Sequence, residues 1–157
     1  MKLTSVTLAA ALIGSAAFAA EVGPKEVKFN DDSAIEMSLT GVAGDAANGA
    51  VIMATRSKGN CVACHQITAL SAPFQGNVGP SLDGASDRWS AGELRGLVVN
   101  AKMMFEGSVM PAFYRVDGFT RPGDGYTGKA GTEPLPPILT AQEIEDVVAF
   151  LTTLKDE

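Results

Sequence analysis

Apolar and polar positions separate most cleanly near the C-terminal end. Ile144, Val147, Val148, Leu151 and Leu154 recur at i, i+3, i+4, i+7 and i+10, the spacing that lines one face of an α-helix. Thr140-Ala141-Gln142-Glu143 ahead of them has the form of a capping box, with Leu139 and Ile144 placed for a hydrophobic staple. A second helix is expected to start at Asp45, an N-cap after Gly44, and to run through Ala46, Ala47, Ala50, Val51 and Ala54 towards Lys58-Gly59. Gly49 lies inside it, where glycine costs up to about 1 kcal/mol relative to alanine. Close packing of another helix would offset that cost, and Phe150 and Leu151 are available to meet it. Ser90-Ala91-Gly92-Glu93 is a third capped start, leading through Leu94, Leu97 and Val98 towards Met104.

The rest of the chain is poor in regular pattern. Ala20 to about Thr40 reads as an extended arm or loop, with room for a short strand at Glu26 to Phe29. Its apolar residues Val27, Phe29 and Ile35 are free to pack on the domain or on a partner. Asn77 to Leu82 and Asp117 to Pro137 are rich in glycine and proline and read as loops. No internal repeat or low-complexity segment interrupts them. At 157 residues the chain suffices for one hydrophobic core, and the expected fold class is all-α.

The first residues read as an address rather than as structure. Met1-Lys2 is a positive start, Val6 to Ile13 is an apolar run broken only by Thr7, and Ala17-Phe18-Ala19 is a small-x-small site. Cleavage is expected after Ala19; cleavage after Ala20 would put Phe18 where a small residue is wanted. A retained anchor needs about 20 apolar residues, and Met1 to Ala20 is too short and too rich in Ala, Gly and Ser. The expected divisions are therefore a signal peptide over 1–19, an arm over 20–44 and a folded domain over 45–157, with no membrane span once the leader is removed. Twelve basic and eighteen acidic side chains give a formal charge of −6, which becomes −7 when Lys2 leaves with the leader. That balance argues against nucleic acid and favours basic partners.

The chemistry is concentrated in Cys61-Val62-Ala63-Cys64-His65, which holds both cysteines and the single histidine. Cys-x-x-Cys-His is the attachment signature of a c-type haem. Both thiols add across the vinyl groups at one edge of the porphyrin, and His65 falls under the iron as proximal ligand. A structural zinc site wants four ligands, and this chain offers three. A thioredoxin-like motif needs a βαβ setting that is missing before Cys61. A plain disulfide needs no histidine and would close too short a loop to stabilise much. Export agrees with haem, because bacteria attach it covalently outside the cytoplasm.

With one histidine, bis-histidine ligation within the chain is impossible, and the distal position falls to Met, Lys, another donor or nothing. Met37 precedes the core, and Met53 lies in the first helix. Met103 and Met104 end the third, where packing is the expected role. Met110 stands apart in the loop Gly107-Ser108-Val109-Met110-Pro111, and Pro111 holds the residue before it extended. Met110 is the expected sixth ligand, with Met103 or Met104 next in line. The free ring nitrogen of His65 needs an acceptor, and the Pro80 carbonyl in its stiff loop is available. Trp89 could pack on the porphyrin or bond a propionate, with Arg88 as alternative partner; core and surface roles serve both residues equally well.

These segments resemble a known family. Asp45-Ala-Ala-Asn-Gly49, Cys61-Val-Ala-Cys-His65, Gly79-Pro-Ser-Leu82, Val109-Met-Pro111 and the terminal helix resemble, in that order, a class I monohaem cytochrome c. More narrowly, Gly59 to Ile67, Gly76 to Leu82, Val109-Met-Pro-Ala-Phe-Tyr114 and Leu139 to Leu151 are similar to the SoxX family, the small cytochrome subunits of SoxAX complexes. The resemblance runs from about Asp45 to Lys155. It implies an all-α haem domain with N- and C-terminal helices packed together and long loops around one covalently attached haem c. In it, Cys61 and Cys64 would bind the haem, and His65 and Met110 would ligate the iron. It further implies a periplasmic electron-transfer subunit without catalytic residues. Its partner SoxA would hold the site that couples thiosulfate or a related sulfur anion to a cysteine of the carrier SoxYZ, and a soluble cytochrome c would accept the electrons. The residues equally allow a freely diffusing cytochrome of another respiratory chain, or, less well, a gas sensor or peroxidase-like enzyme with an open distal site. Asp117 to Pro137 is long for a structureless loop, and reads either as partner surface or as an exposed insertion.

Overall fold

The computed structural model describes residues 20–123 and 127–156; the expected signal peptide lies outside them. The described residues form four α-helices: α1 (Ala46–Ala54), α2 (Ala85–Arg88), α3 (Ala91–Asn100) and α4 (Ala141–Leu151). Short 3-10 turns occur at Cys61–Ala63 and Ala101–Met103. Among the described residues there is no strand, only an isolated antiparallel bridge between Gly123 and Ala130. The all-α expectation holds, and the short strand at 26–29 does not form. That segment leaves a tight turn in which the Glu26 N–H donates to the Gly23 carbonyl (2.9 Å). Val27 and Phe29 then pack against the core instead of pairing with a second strand.

Local chemistry starts α1, α3 and α4 where the pattern predicts, while the single-turn α2, entered through Gly84 without a side-chain cap, was not expected. Asp45 Oδ1 accepts from the N–H groups of Ala47 (2.9 Å) and Asn48 (3.3 Å), and complete capping boxes open α3 at Ser90/Glu93 and α4 at Thr140/Glu143. The end of α1 falls earlier than the expected Lys58-Gly59. Thr55 is already extended, and its hydroxyl donates to the Val51 carbonyl (2.7 Å). The Lys58 N–H then turns back to the Thr55 carbonyl (3.0 Å). This early stop lets the chain reverse into Cys61 instead of overshooting it.

Helices α1 and α4 cross at the glycine notch. A Cβ on Gly49 would lie 2.0 Å from the Asp146 carbonyl oxygen and 3.0 Å from Phe150 Cβ, so no other residue fits without separating the helices. Asp146 seals the crossing: its carboxylate accepts from the Asp45 N–H (2.8 Å), the Asn48 amide (2.7 Å) and the Gln142 amide (3.0 Å). The apolar stripe of α4 faces inward, with Ile144, Val147, Val148, Leu151 and Leu154 all buried.

The arm before α1 belongs to the same core. Ala34, Ile35 and Leu39 are buried, and the Ile35 N–H donates to the Gly92 carbonyl (2.9 Å). A buried ion pair ties arm, α3 and α4 together. Arg95 Nε and Nη2 donate to the two oxygens of Glu145 (2.8 and 3.0 Å), and Arg95 Nη1 donates to the Ile35 carbonyl (2.7 Å). The Leu39 N–H donates to Glu145 as well (2.8 Å). Both side chains are under a tenth exposed.

The long segment 117–137 also folds on itself. The Gly131 N–H reaches the Pro122 carbonyl (2.8 Å), and the Leu135 N–H reaches that of Val116 (2.7 Å). Glu133 accepts from the Gly118 and Phe119 N–H groups (3.2 and 2.8 Å), while the Arg115 guanidinium lies 4.9 Å from the centre of the Phe119 ring. Among the described residues no helix is long and apolar enough to cross a membrane.

Two predictions follow from the polar parts of this core. Arg95→Leu strands a buried carboxylate and should cost about 3–5 kcal/mol in denaturant unfolding, whereas Arg95→Leu combined with Glu145→Leu should recover part of that loss. A double variant no better than the single would show that the pair is not the tie described. For Asp146, burial opposes ionisation, but the Asp45 N–H and the Gln142 and Asn48 amides outweigh it and hold the carboxyl below its ordinary value of 3.8. Its stabilisation is therefore complete above that value and is lost as pH falls through the lowered one. Asp146→Asn should flatten this part of the acid unfolding curve; an unchanged acid slope would count against the assignment.

Candidate functional site

The motif begins seven residues after α1 ends, directly behind a residue with unusual backbone. Asn60 sits in the left-handed region at φ 48°, where asparagine is tolerated better than most residues. From it Cys61–Ala63 makes one 3-10 turn, and the N–H groups of Cys64 and His65 both return to the Cys61 carbonyl (3.1 and 2.9 Å). Winding the five residues this tightly brings Cys61, Cys64 and His65 into one short coil. The two cysteines form no disulfide with each other, Cys61 being half-buried and Cys64 exposed. Burial pushes the Cys61 thiol up to about 12.

A strap formed by residues 76–83 lies along this coil. The Gly76, Gly79 and Leu82 N–H groups donate to the carbonyls of Val62 (2.8 Å), Cys64 (2.8 Å) and Gln66 (2.9 Å). The strap passes so close that a Cβ on Gly79 would lie 2.3 Å from Cε1 of His65. One residue further on, the Pro80 carbonyl lies 2.7 Å from His65 Nδ1. A carbonyl can only accept, so this contact puts the proton on Nδ1 and leaves the Nε2 lone pair available to a metal. Pro80 thus stands where the expected acceptor was placed.

The strap is itself fastened by Asp83, Thr68 and Gln75, which the sequence pattern did not single out, and by Arg88, for which the sequence suggested no such contact. Asp83 accepts from the Thr68 N–H (2.8 Å), the Thr68 hydroxyl (2.7 Å) and the Ser81 hydroxyl (3.1 Å). The Thr68 hydroxyl, followed by its N–H, holds the Asp83 carboxyl below the usual range. Arg88 donates to the carbonyls of Asp83 (2.8 Å) and Ser81 (3.0 Å); its guanidinium clamps the strap. Gln75 braces the intervening loop from the Ile67 N–H (2.6 Å) to the Leu70 carbonyl (2.8 Å). A short polar side chain in Ser-Leu-Asp-Gly is a turn signal, but nothing in the one-dimensional pattern tells which backbone it will hold. Trp89 packs edge-on against Phe105, ring centres 6.2 Å apart.

The methionines divide by burial. Met53 is 1% exposed and fully enclosed by protein, while Met37 is 79% exposed on the arm. Met103 lies in the 3-10 turn after α3 and is half exposed. Met110 is partly buried against the core, its N–H donating to Ser108 Oγ (3.2 Å) and its carbonyl accepting from Lys102 Nζ (2.6 Å).

Paired free thiols, a histidine with Nε2 left open and a half-buried methionine in a restrained loop together make a donor set that fits a covalently attached haem. The segments around them also leave Val78 (70%) and Val109 (83%) exposed, apolar surface of the kind a porphyrin covers. Among the described residues no group of three or more His, Cys, Asp or Glu side chains is assembled to hold a metal ion. The three Cys and His donors of the motif are thus not gathered around one ion.

Comparison with known proteins agrees with this site. A family model described as cytochrome c matches residues 46–155. A chain of the crystal structure of SoxXA from P. pantotrophus is 62% identical, superimposes with a TM-score of 0.84, and is matched over 87% of this chain and 100% of its own. A search of curated proteins returns no match. The matched family covers the motif, the strap, the Met110 loop and α4 together, and the chain belongs to the cytochrome c family, whose members carry a covalently bound haem c.

Proposed function

We propose that this chain is the small, noncatalytic cytochrome subunit of a SoxAX complex and serves it as a periplasmic electron relay. The observation that carries this reading is the 62% identity to a chain of a SoxXA structure over that chain's full length; the lock on His65, whose ring lies 2.7 Å from the Pro80 carbonyl, supports its haem part. Cys61 and Cys64 would hold haem c through thioethers, with His65 Nε2 and the Met110 thioether as its axial ligands. When bound, the haem supplies one-electron exchange at its iron.

The chain's own residues decide how that exchange is used. Hydrogen bonding to Pro80 raises the basicity of the His65 imidazole and fixes its tautomer. A methionine opposite it raises the reduction potential relative to two histidines. With His65 and Met110 both given to the iron, no place would be left there for a sulfur compound. Both cysteines would be used by the haem, so neither would be free to carry sulfur. The coupling of thiosulfate or a related sulfur anion to a cysteine of SoxYZ therefore belongs to SoxA, and this chain passes the resulting electrons to a soluble cytochrome c. Support for SoxA as partner comes from the 62% identity to a chain of a SoxXA structure, over that chain's full length. The formal charge of −7 expected once Lys2 leaves with the leader suits basic docking faces on the partners.

Replacing Met110 with Ala should abolish the thioether-to-iron absorption at the red edge of the visible spectrum. It should also let carbon monoxide bind the reduced protein, whereas the unaltered holoprotein should resist it. Persistence of the band would move the ligand to Met103 or Met104. Affinity-tagged protein recovered from its native periplasm should bring a second cytochrome subunit with it. Recovery of the tagged chain alone would overturn the SoxAX assignment in favour of a freely diffusing cytochrome, while leaving the haem reading intact.

A further inference from the structure

Met110 is held by an unusual set of bonds. Its N–H goes to Ser108 Oγ (3.2 Å) and its carbonyl to Lys102 Nζ (2.6 Å), so side chains hold both main-chain polar groups. Pro111 follows and has no N–H to contribute. Ser108 belongs to the same loop, and its own N–H turns back to the Phe105 carbonyl (2.9 Å). It shapes the loop but does not place it on the domain.

Lys102 is anchored differently. It stands in the 3-10 turn Ala101–Met103 that continues α3, beside the buried Ala101. Its N–H is capped by Asn100 Oδ1 (3.3 Å). The carbonyl of the next residue, Met103, accepts from Ser33 Oγ of the arm (2.8 Å). The foot of this lysine is therefore fixed to the packed part of the molecule, while its ammonium is hydrogen-bonded to the carbonyl of the loop residue expected to reach the iron. On the other side of Met110 the chain is secured again, where the Phe113 and Tyr114 N–H groups meet the carbonyls of Val98 (3.4 Å) and Val99 (3.3 Å).

We propose that Lys102 is a positioning residue for the distal ligand: its hydrogen bond to the Met110 carbonyl holds the thioether on the iron and keeps a positive charge beside it. This rests on the reading of Met110 as that ligand. The tie acts on the ligand's own backbone, so loosening it raises the fraction of molecules in which the thioether has let go. A nearby cation also favours the reduced haem, which carries one positive charge fewer. A lysine that served only the surface would do neither.

The test uses the oxidised holoprotein titrated with imidazole, which competes with the thioether, and follows the loss of the red-edge band. Lys102→Ala should bind imidazole about tenfold more tightly, the order of effect of a charge-assisted hydrogen bond, and should have a lower reduction potential. Lys102→Arg, which keeps charge and donors, should return the imidazole affinity to within about twofold of the unaltered protein. Lys102→Gln, a neutral donor, should leave the potential low while recovering part of the imidazole resistance. Unchanged imidazole affinity and potential in Lys102→Ala would overturn the proposal, as would failure of Lys102→Arg to rescue. Met110→Ala is run in parallel. If it loses the band, the ligand assignment stands and a null Lys102→Ala result sinks only this inference. If the band persists there, the ligand assignment and the inference fall together.

Discussion

The rest of the structure depends on the close crossing of α1 and α4, where the Asp146 carbonyl occupies the space that a side chain at Gly49 would need. Dispersion and apolar burial reward close approach only if nothing protrudes at the contact, and a single glycine meets that condition. The polar groups beside the notch are then partnered across it: the Asp146 carboxylate takes donors from α1, and its neighbour Glu145 takes Arg95 and the Leu39 N–H. Two adjacent acids on one helix thus serve different partners, one fastening α1 and the other fastening α3 and the arm.

Because α1 is held there, the position of the motif that follows it is held as well. The coil at Cys61–His65 does not stand by its own hydrogen bonds. Three N–H groups of the 76–82 strap bond to its carbonyls or to Gln66 just beyond it, and the Pro80 carbonyl orients the histidine ring. Asp83 and Arg88 hold the strap in turn. This shell is polar and partly solvent-exposed, so its bonds contribute orientation more than stability. Orientation is what the ligand role proposed for His65 would require, since the basicity of an imidazole follows its hydrogen bond.

Several features were readable from residue order because they depend on near neighbours. Capping boxes, the apolar stripe of α4 and the glycine in α1 are local patterns, and each appears in the fold where it was expected. The end of α1 was misread by four residues because the first strong stop signal in the sequence is Gly59, whereas the turn into Cys61 needs the chain to leave the helix at Thr55. The strand at 26–29 failed for a related reason: β-propensity does not supply a partner strand, and packing on the helical core was available instead.

By itself the sequence determined the chemistry of the site, because Cys-x-x-Cys-His and a lone histidine restrict what can bind and leave the distal position to a residue from elsewhere. It also determined where α1, α3 and α4 start, because their capping signals lie within a few residues of one another. Only the tertiary structure decided that Arg88 clamps the strap, that Arg95 and Glu145 weld the arm into the core, and that Lys102 bonds to the Met110 carbonyl. Each of those is a side chain bonding to a group distant in sequence or hidden in the backbone. Such bonds are set by where the packed helices carry their ends, which the local pattern of residues does not encode.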